Sequence, residues 1–178
     1  MRQTSFVMAG CVLMFSVLAA AQGQTDKSKR PSPPGTATAT LNGKKITVDY
    51  SRPNMKGRKI MGGLVPYDKV WRTGANEATL LTTETDLDVG GTSVPAGKYT
   101  LWTLPSAGTW KLIINKQTGQ WGTDYDQSQD LARVDMQKSQ TQQPVEQFTI
   151  SFSPKGSDAA DLVLAWENTN VSVPIKAK

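Results

Sequence analysis

Thr36-Ala37-Thr38-Ala39-Thr40-Leu41-Asn42-Gly43-Lys44-Lys45-Ile46-Thr47-Val48-Asp49-Tyr50 decides the fold class. Ala37, Ala39 and Leu41 alternate with threonines, and Ile46, Val48 and Tyr50 alternate with Lys45, Thr47 and Asp49. A period of two is the spacing of strands with one buried face. Asn42-Gly43 between the two runs readily takes the positive φ angles of a type I′ turn, so the segment reads as an antiparallel hairpin.

The same grammar continues toward the C-terminus. Ala78 to Glu84 alternates Leu and Ala with Thr, and Leu87 and Val89 lead to a Gly90-Gly91 turn. Val94-Pro95-Ala96-Gly97 is another turn, and Lys98 to Leu104 and Thr109 to Asn115 are strands joined by Pro105-Ser106-Ala107-Gly108. Trp110, Leu112 and Ile114 share one face of the second. Leu131 to Met136 is a strand, Gln137 to Pro144 a polar connection, and Val145 to Ser153 a strand with Phe148, Ile150 and Phe152 on one side. Ala160, Leu162, Leu164 and Trp166 follow, then a turn at Asn168-Thr169-Asn170, then Val171, Val173 and Ile175. No segment holds a 3.6-residue period. The chain is therefore expected to be all-β, a single antiparallel β-sandwich, jelly-roll or barrel-like, of about eight to ten short strands.

Met1-Arg2 precedes an apolar run from Phe6 to Leu18, which ends in Ala19-Ala20-Ala21 before an abrupt polar change. This is the build of a secretory signal peptide over residues 1–21, too short to span a bilayer, with cleavage expected after Ala21 and a periplasmic or secreted destination. Met8-Ala9-Gly10-Cys11 has the outline of a lipoprotein box, but only Phe6, Val7 and Met8 would remain upstream as its apolar core. Residues 22–35, rich in Ser, Lys and Pro, read as a disordered lead-in. Residues 36–178 form the β-sandwich domain, with no transmembrane segment after cleavage.

Composition removes much chemistry. The chain has no histidine, and its one cysteine, Cys11, leaves with the signal. Ser-His and Cys-His nucleophiles, disulfides and histidine metal sites are thus excluded, and no cofactor is implied. A net charge of +5 without interleaved aromatics and cations describes a solvated surface rather than a nucleic-acid binder.

Gly57-Arg58, Leu64-Val65-Pro66-Tyr67, Val70-Trp71-Arg72-Thr73-Gly74-Ala75-Asn76-Glu77-Ala78-Thr79, Pro95-Ala96-Gly97-Lys98-Tyr99 and Gln120-Trp121-Gly122 occur in this order. The pattern, over roughly Thr36 to Ile175, resembles the exported bacterial family named domain of unknown function 2911. That resemblance implies an exported bacterial protein and transfers no catalytic residue.

Arg58, Trp71, Arg72, Asn76 and Glu77 compose the first candidate site. As a pocket, the guanidinium groups offer forked donors to a carboxylate, phosphate or hydroxyl, Asn76 and Glu77 orient the ligand, and Trp71 is a stacking wall. As a structural corner, Arg72 pairs with Glu77 and Trp71 plugs the sandwich. Trp110 and Trp166 share faces with aliphatic residues and should be buried, whereas Trp121 sits in a glycine-flanked loop as the exposed platform. Asp124, Asp126, Ser128, Asp130 and Asp135 have oxygens at calcium-loop spacing, but Gln129 stands where the sharp turn needs glycine, and an Asp-rich turn capped by its own side chains explains them too. Glu77, Asp124, Glu146 and Glu167 leave room for carboxylate acid–base chemistry, with nothing to pair them. The favoured expectation is binding of a small polar or sugar-like ligand through Arg58, Trp71, Arg72, Asn76, Glu77 and Trp121. A glycosidase-like hydrolase and a structural or protein-partner module of the envelope are the alternatives.

Overall fold

The computed structural model describes residues 26–178, so the signal peptide expected over residues 1–21, the cleavage expected after Ala21, and Cys11 lie outside the described residues. Nine strands form one antiparallel sheet: β1 (Pro34–Leu41), β2 (Lys44–Ser51), β3 (Thr79–Thr83), β4 (Leu87–Val89), β5 (Thr92–Val94), β6 (Gly97–Leu104), β7 (Trp110–Asn115), β8 (Asp130–Pro154) and β9 (Ala159–Ala177). Their order is β1-β2-β3-β6-β7-β8-β9-β4-β5, and the sheet does not close into a barrel.

The opening hairpin forms as its sequence dictates. Asn42 and Gly43 both have positive φ, and Leu41 pairs with Lys44, Ala37 with Val48 and Thr36 with Asp49. β8 turns the sheet over on itself: its beginning, through Met136, pairs with β7, and from Gln137 onward it pairs with β9. The two halves face each other across a shared core running from Ala37 to Ala177. Across that core, the Tyr50 hydroxyl accepts from the Ile150 N–H at 2.9 Å. Trp110 and Trp166 are buried, as their faces require.

Three sequence expectations need correction. Gln137 to Pro144 is strand rather than connection: Gln137 pairs with Ser172 and Gln140 with Thr169, and its polar side chains reflect an exposed strand. Asn168-Thr169-Asn170 is not a turn, because β9 runs through it. The buried positions change parity between Trp166 and Val171 because the ladder shifts register there and Glu167 takes φ +55°, a bulge rather than a reversal. β8 and β9 are accordingly long, not short. Finally, the lead-in read as disordered to residue 35 carries structure from Asp26. Lys27–Lys29 is a 3₁₀ turn capped by Asp26, the Pro33 carbonyl accepts from the Arg52 N–H at 2.8 Å, and β1 begins at Pro34. Backbone pairing and charge partners supply the order that apolar residues do not.

Candidate functional site

The outer face of the sheet carries a row of side chains fixed by strand register. Thr36 on β1 opposes Asp49 on β2, Asp49 opposes Leu80 on β3, and Leu80 opposes Thr100 on β6. Thr36 donates its hydroxyl to Asp49 Oδ1 at 2.6 Å. Beyond this row the outer face is covered, because Tyr125 folds back over Trp102, ring centroids 5.0 Å apart, beside Ala78 and Ile113. The loop leading to Tyr125 is held over Thr100, whose hydroxyl accepts from Gln120 Nε2 at 3.2 Å. Between this cover and the N-terminal segment lies a cavity of about 280 Å³. Leu80, Thr36 and Asp49 lie beneath it, Gly119 and Gln120 form one wall, and Lys27, Arg30 and Glu77 form another.

Glu77 is the charged centre of that wall. Its carboxylate lies 3.0 Å from Lys27 Nζ and accepts from Arg30 NH1 at 3.0 Å on both oxygens. Partial burial opposes its ionisation, but its own backbone N–H and the Lys27 and Arg30 donors outweigh this and hold its pKa down at about 2. At neutral pH it is an anion and a very weak base.

The sequence-predicted residues divide into two groups. Arg72, Asn76, Glu77 and Trp121 are brought together by an antiparallel bridge between Glu77 and Trp121. The Ala78 N–H donates to the Gln120 carbonyl at 3.2 Å and the Gly122 N–H to the Asn76 carbonyl at 2.9 Å. Arg72 lies against Gly122, where an added Cβ would fall 2.6 Å from its Cδ. Asn76, at φ +59°, donates to the Ser32 carbonyl and the Ser51 hydroxyl, both at 3.1 Å. Trp121 is 46% exposed, as its loop position predicts. Only Glu77 of the six residues lines the cavity.

Arg58 and Trp71 go elsewhere. The Arg58 guanidinium donates to the Met55 and Asn54 carbonyls at 2.9 and 2.6 Å, bracing its own turn. Trp71 stacks on Trp166 with centroids 5.8 Å apart and meets Phe148 edge-on at 5.1 Å, so it seals the core. Arg72 does not pair with Glu77; its Nε reaches the Gly74 carbonyl at 3.4 Å.

The acidic turn is capped by its own side chains. Asp126 accepts from Ser128, Asp130 from Asn115, Tyr125 and Arg133, and Asp135 pairs with Lys111. Among the described residues no three His, Cys, Asp or Glu side chains are grouped to share a metal. Nor do the other carboxylates that the sequence nominates join Glu77, although Asp49 lines the same cavity. Glu146 accepts from the Lys56 N–H at 2.9 Å, Glu167 from the Ile60 and Met61 N–H groups, and Asp124 from Thr123.

Lys27, Arg30, Asp49, Leu80 and Gln120 escaped the sequence reading. For Asp49 a signal existed, since a two-residue turn at Asn42-Gly43 sets Thr36 opposite it. The adjacent Leu80-Leu81 and the unbroken Leu112-Ile113-Ile114 also indicate apolar residues on both faces, hence a covered outer face. Nothing in the pattern points Lys27 and Arg30 at Glu77.

A family model described as a protein of unknown function (DUF2911) matches residues 32–175. No curated protein and no solved structure matches the chain. Glu77, Asp49, Leu80, Gln120 and Trp121 lie inside the matched stretch, and Lys27 and Arg30 lie before it.

Proposed function

Because the chain belongs to the DUF2911 family, whose description assigns no activity, we propose its role from the site: it binds a small polar ligand in the cavity over Thr36, Asp49 and Leu80. The observation that carries this reading is the cavity itself, about 280 Å³, with Leu80 beside the Thr36 and Asp49 pair in its floor and charged and amide groups on its walls. That size and mixture suit a ligand of sugar or amino-acid dimensions. Trp121 stands beside Glu77 at the rim as an aromatic surface. The export signal read over residues 1–21 supports a periplasmic or secreted setting. Hydrolysis is the weaker reading, because Glu77 is held ionised and Glu146 and Glu167 are engaged with backbone donors.

The test is chemical-shift mapping of the full chain with a panel of monosaccharides, amino acids and polyamines. The expected hit perturbs Thr36, Asp49, Leu80 and Gln120, and Leu80→Trp, which fills the cavity, abolishes it. Hits that map elsewhere or survive Leu80→Trp contradict the reading. A panel without any hit favours a structural or partner-binding module.

A further inference from the structure

Glu77 and Trp121 form the non-hydrogen-bonded pair of their bridge, since the two backbone bonds run between their neighbours: Ala78 to Gln120 and Gly122 to Asn76. In such a pair the side chains project to the same face at the closest cross-strand spacing. An ionised carboxylate therefore stands next to an exposed indole. That is a recognition surface for a cation: the carboxylate takes charge-assisted hydrogen bonds, and the ring face attracts positive charge.

Two cations already sit on the carboxylate, and both come from the N-terminal segment. Lys27 and Arg30 converge on Glu77 across a single 3₁₀ turn. The backbone of this segment is first anchored to the domain at Ser32 and Pro33, through Asn76 and Arg52. Before that point, among the described residues, its polar contacts with the domain are those two salt bridges. Both are part-exposed, with Lys27 more than half open to solvent, so they are weak and screened by salt. The acceptor belongs to the family-matched stretch and the occupant precedes it.

We infer that the Glu77–Trp121 rim is a receptor for a short basic peptide segment, occupied in this chain by its own Lys27 and Arg30. The tethered segment competes at the high local concentration of an intramolecular ligand, so an outside basic peptide binds only when the two resident cations are withdrawn. The rim shares Glu77 with the cavity but does not require the cavity to hold a ligand.

The experiment uses the full chain carrying Lys27→Ala and Arg30→Ala, titrated with a synthetic peptide of residues 26–33. Binding is read from the Trp121 indole N–H signal. Saturable binding is expected for this variant, with the unsubstituted chain at least about tenfold weaker because its site is filled in cis. Adding Glu77→Gln to the double variant should weaken binding by about tenfold or more, and a peptide with both cations replaced by alanine should not bind. Leu80→Trp in the double variant should leave peptide binding intact, which separates this inference from the cavity reading. No binding to the double variant, or binding indifferent to Glu77→Gln, overturns the proposal.

Discussion

Two carboxylate-bearing corners of the molecule have opposite designs. At the corner of residues 54–61, Glu146 and Glu167 accept from the backbone N–H groups of Lys56, Ile60 and Met61, and Arg58 donates to backbone carbonyls of its own turn. At the rim, Glu77 is met by two long side chains from a segment with little else to hold it, beside a cavity and an exposed Trp121. Backbone donors are fixed by the fold, so the first corner is architecture. Lysine and arginine heads are exchangeable, so the second can serve recognition.

The largest expected effect breaks the first corner from below. Trp166→Ala removes the indole that stacks on Trp71 and donates to the Glu146 carbonyl. It should cost about 3–5 kcal/mol in urea denaturation. Next, Glu167→Ala leaves the N–H groups of Ile60 and Met61 without their carboxylate acceptor, and Ile60 is fully buried. A loss of about 1–3 kcal/mol is expected by the same measurement. Gly122→Ala probes the frame of the rim: its new methyl would meet Arg72 Cδ and the Asn76 carbonyl, each at 2.6 Å. Since one of these is backbone, the strand pairing must shift, at about 1–3 kcal/mol.

Glu77→Gln should be the mildest, at most about 1 kcal/mol at neutral pH, because its ion pairs are part-exposed. Its pH dependence has a definite sign. The folded pKa, about 2, is below the ordinary 4.5, so the contribution is fully present above about pH 4.5 and is lost as pH falls toward 2. Denaturation of the two proteins across that range should show their difference vanishing at the acid end. A difference that grows instead would mean that Glu77 is not held by Lys27 and Arg30.

The contrast between the corners also explains what the sequence could disclose. Period-two runs and Asn42-Gly43 specify the hairpin because they act locally, and the shared faces of Trp110 and Trp166 mark the core. Arg58 and Glu77 stand in equally polar stretches, and only long-range pairing distinguishes them: Arg58 turns back on its own loop, while Glu77 meets Arg30, 47 positions upstream, and Lys27 before it. The seam of β8 and β9 is hidden for a related reason, since a bulge at Glu167 shifts burial parity as a turn would. Polar strand residues from Gln137 carry no periodic signal at all.

The most direct measurement follows backbone amide and indole signals of the full chain from about 0.02 M to about 1 M salt, where the screening length shrinks to about 3 Å. The Lys27 to Arg30 amides and the Trp121 indole N–H should move as the segment leaves Glu77, while Lys56, Ile60 and Met61 stay in place. A leader unmoved by salt, or a 54–61 corner that moves with it, would contradict the distinction between a fixed corner and an exchangeable rim.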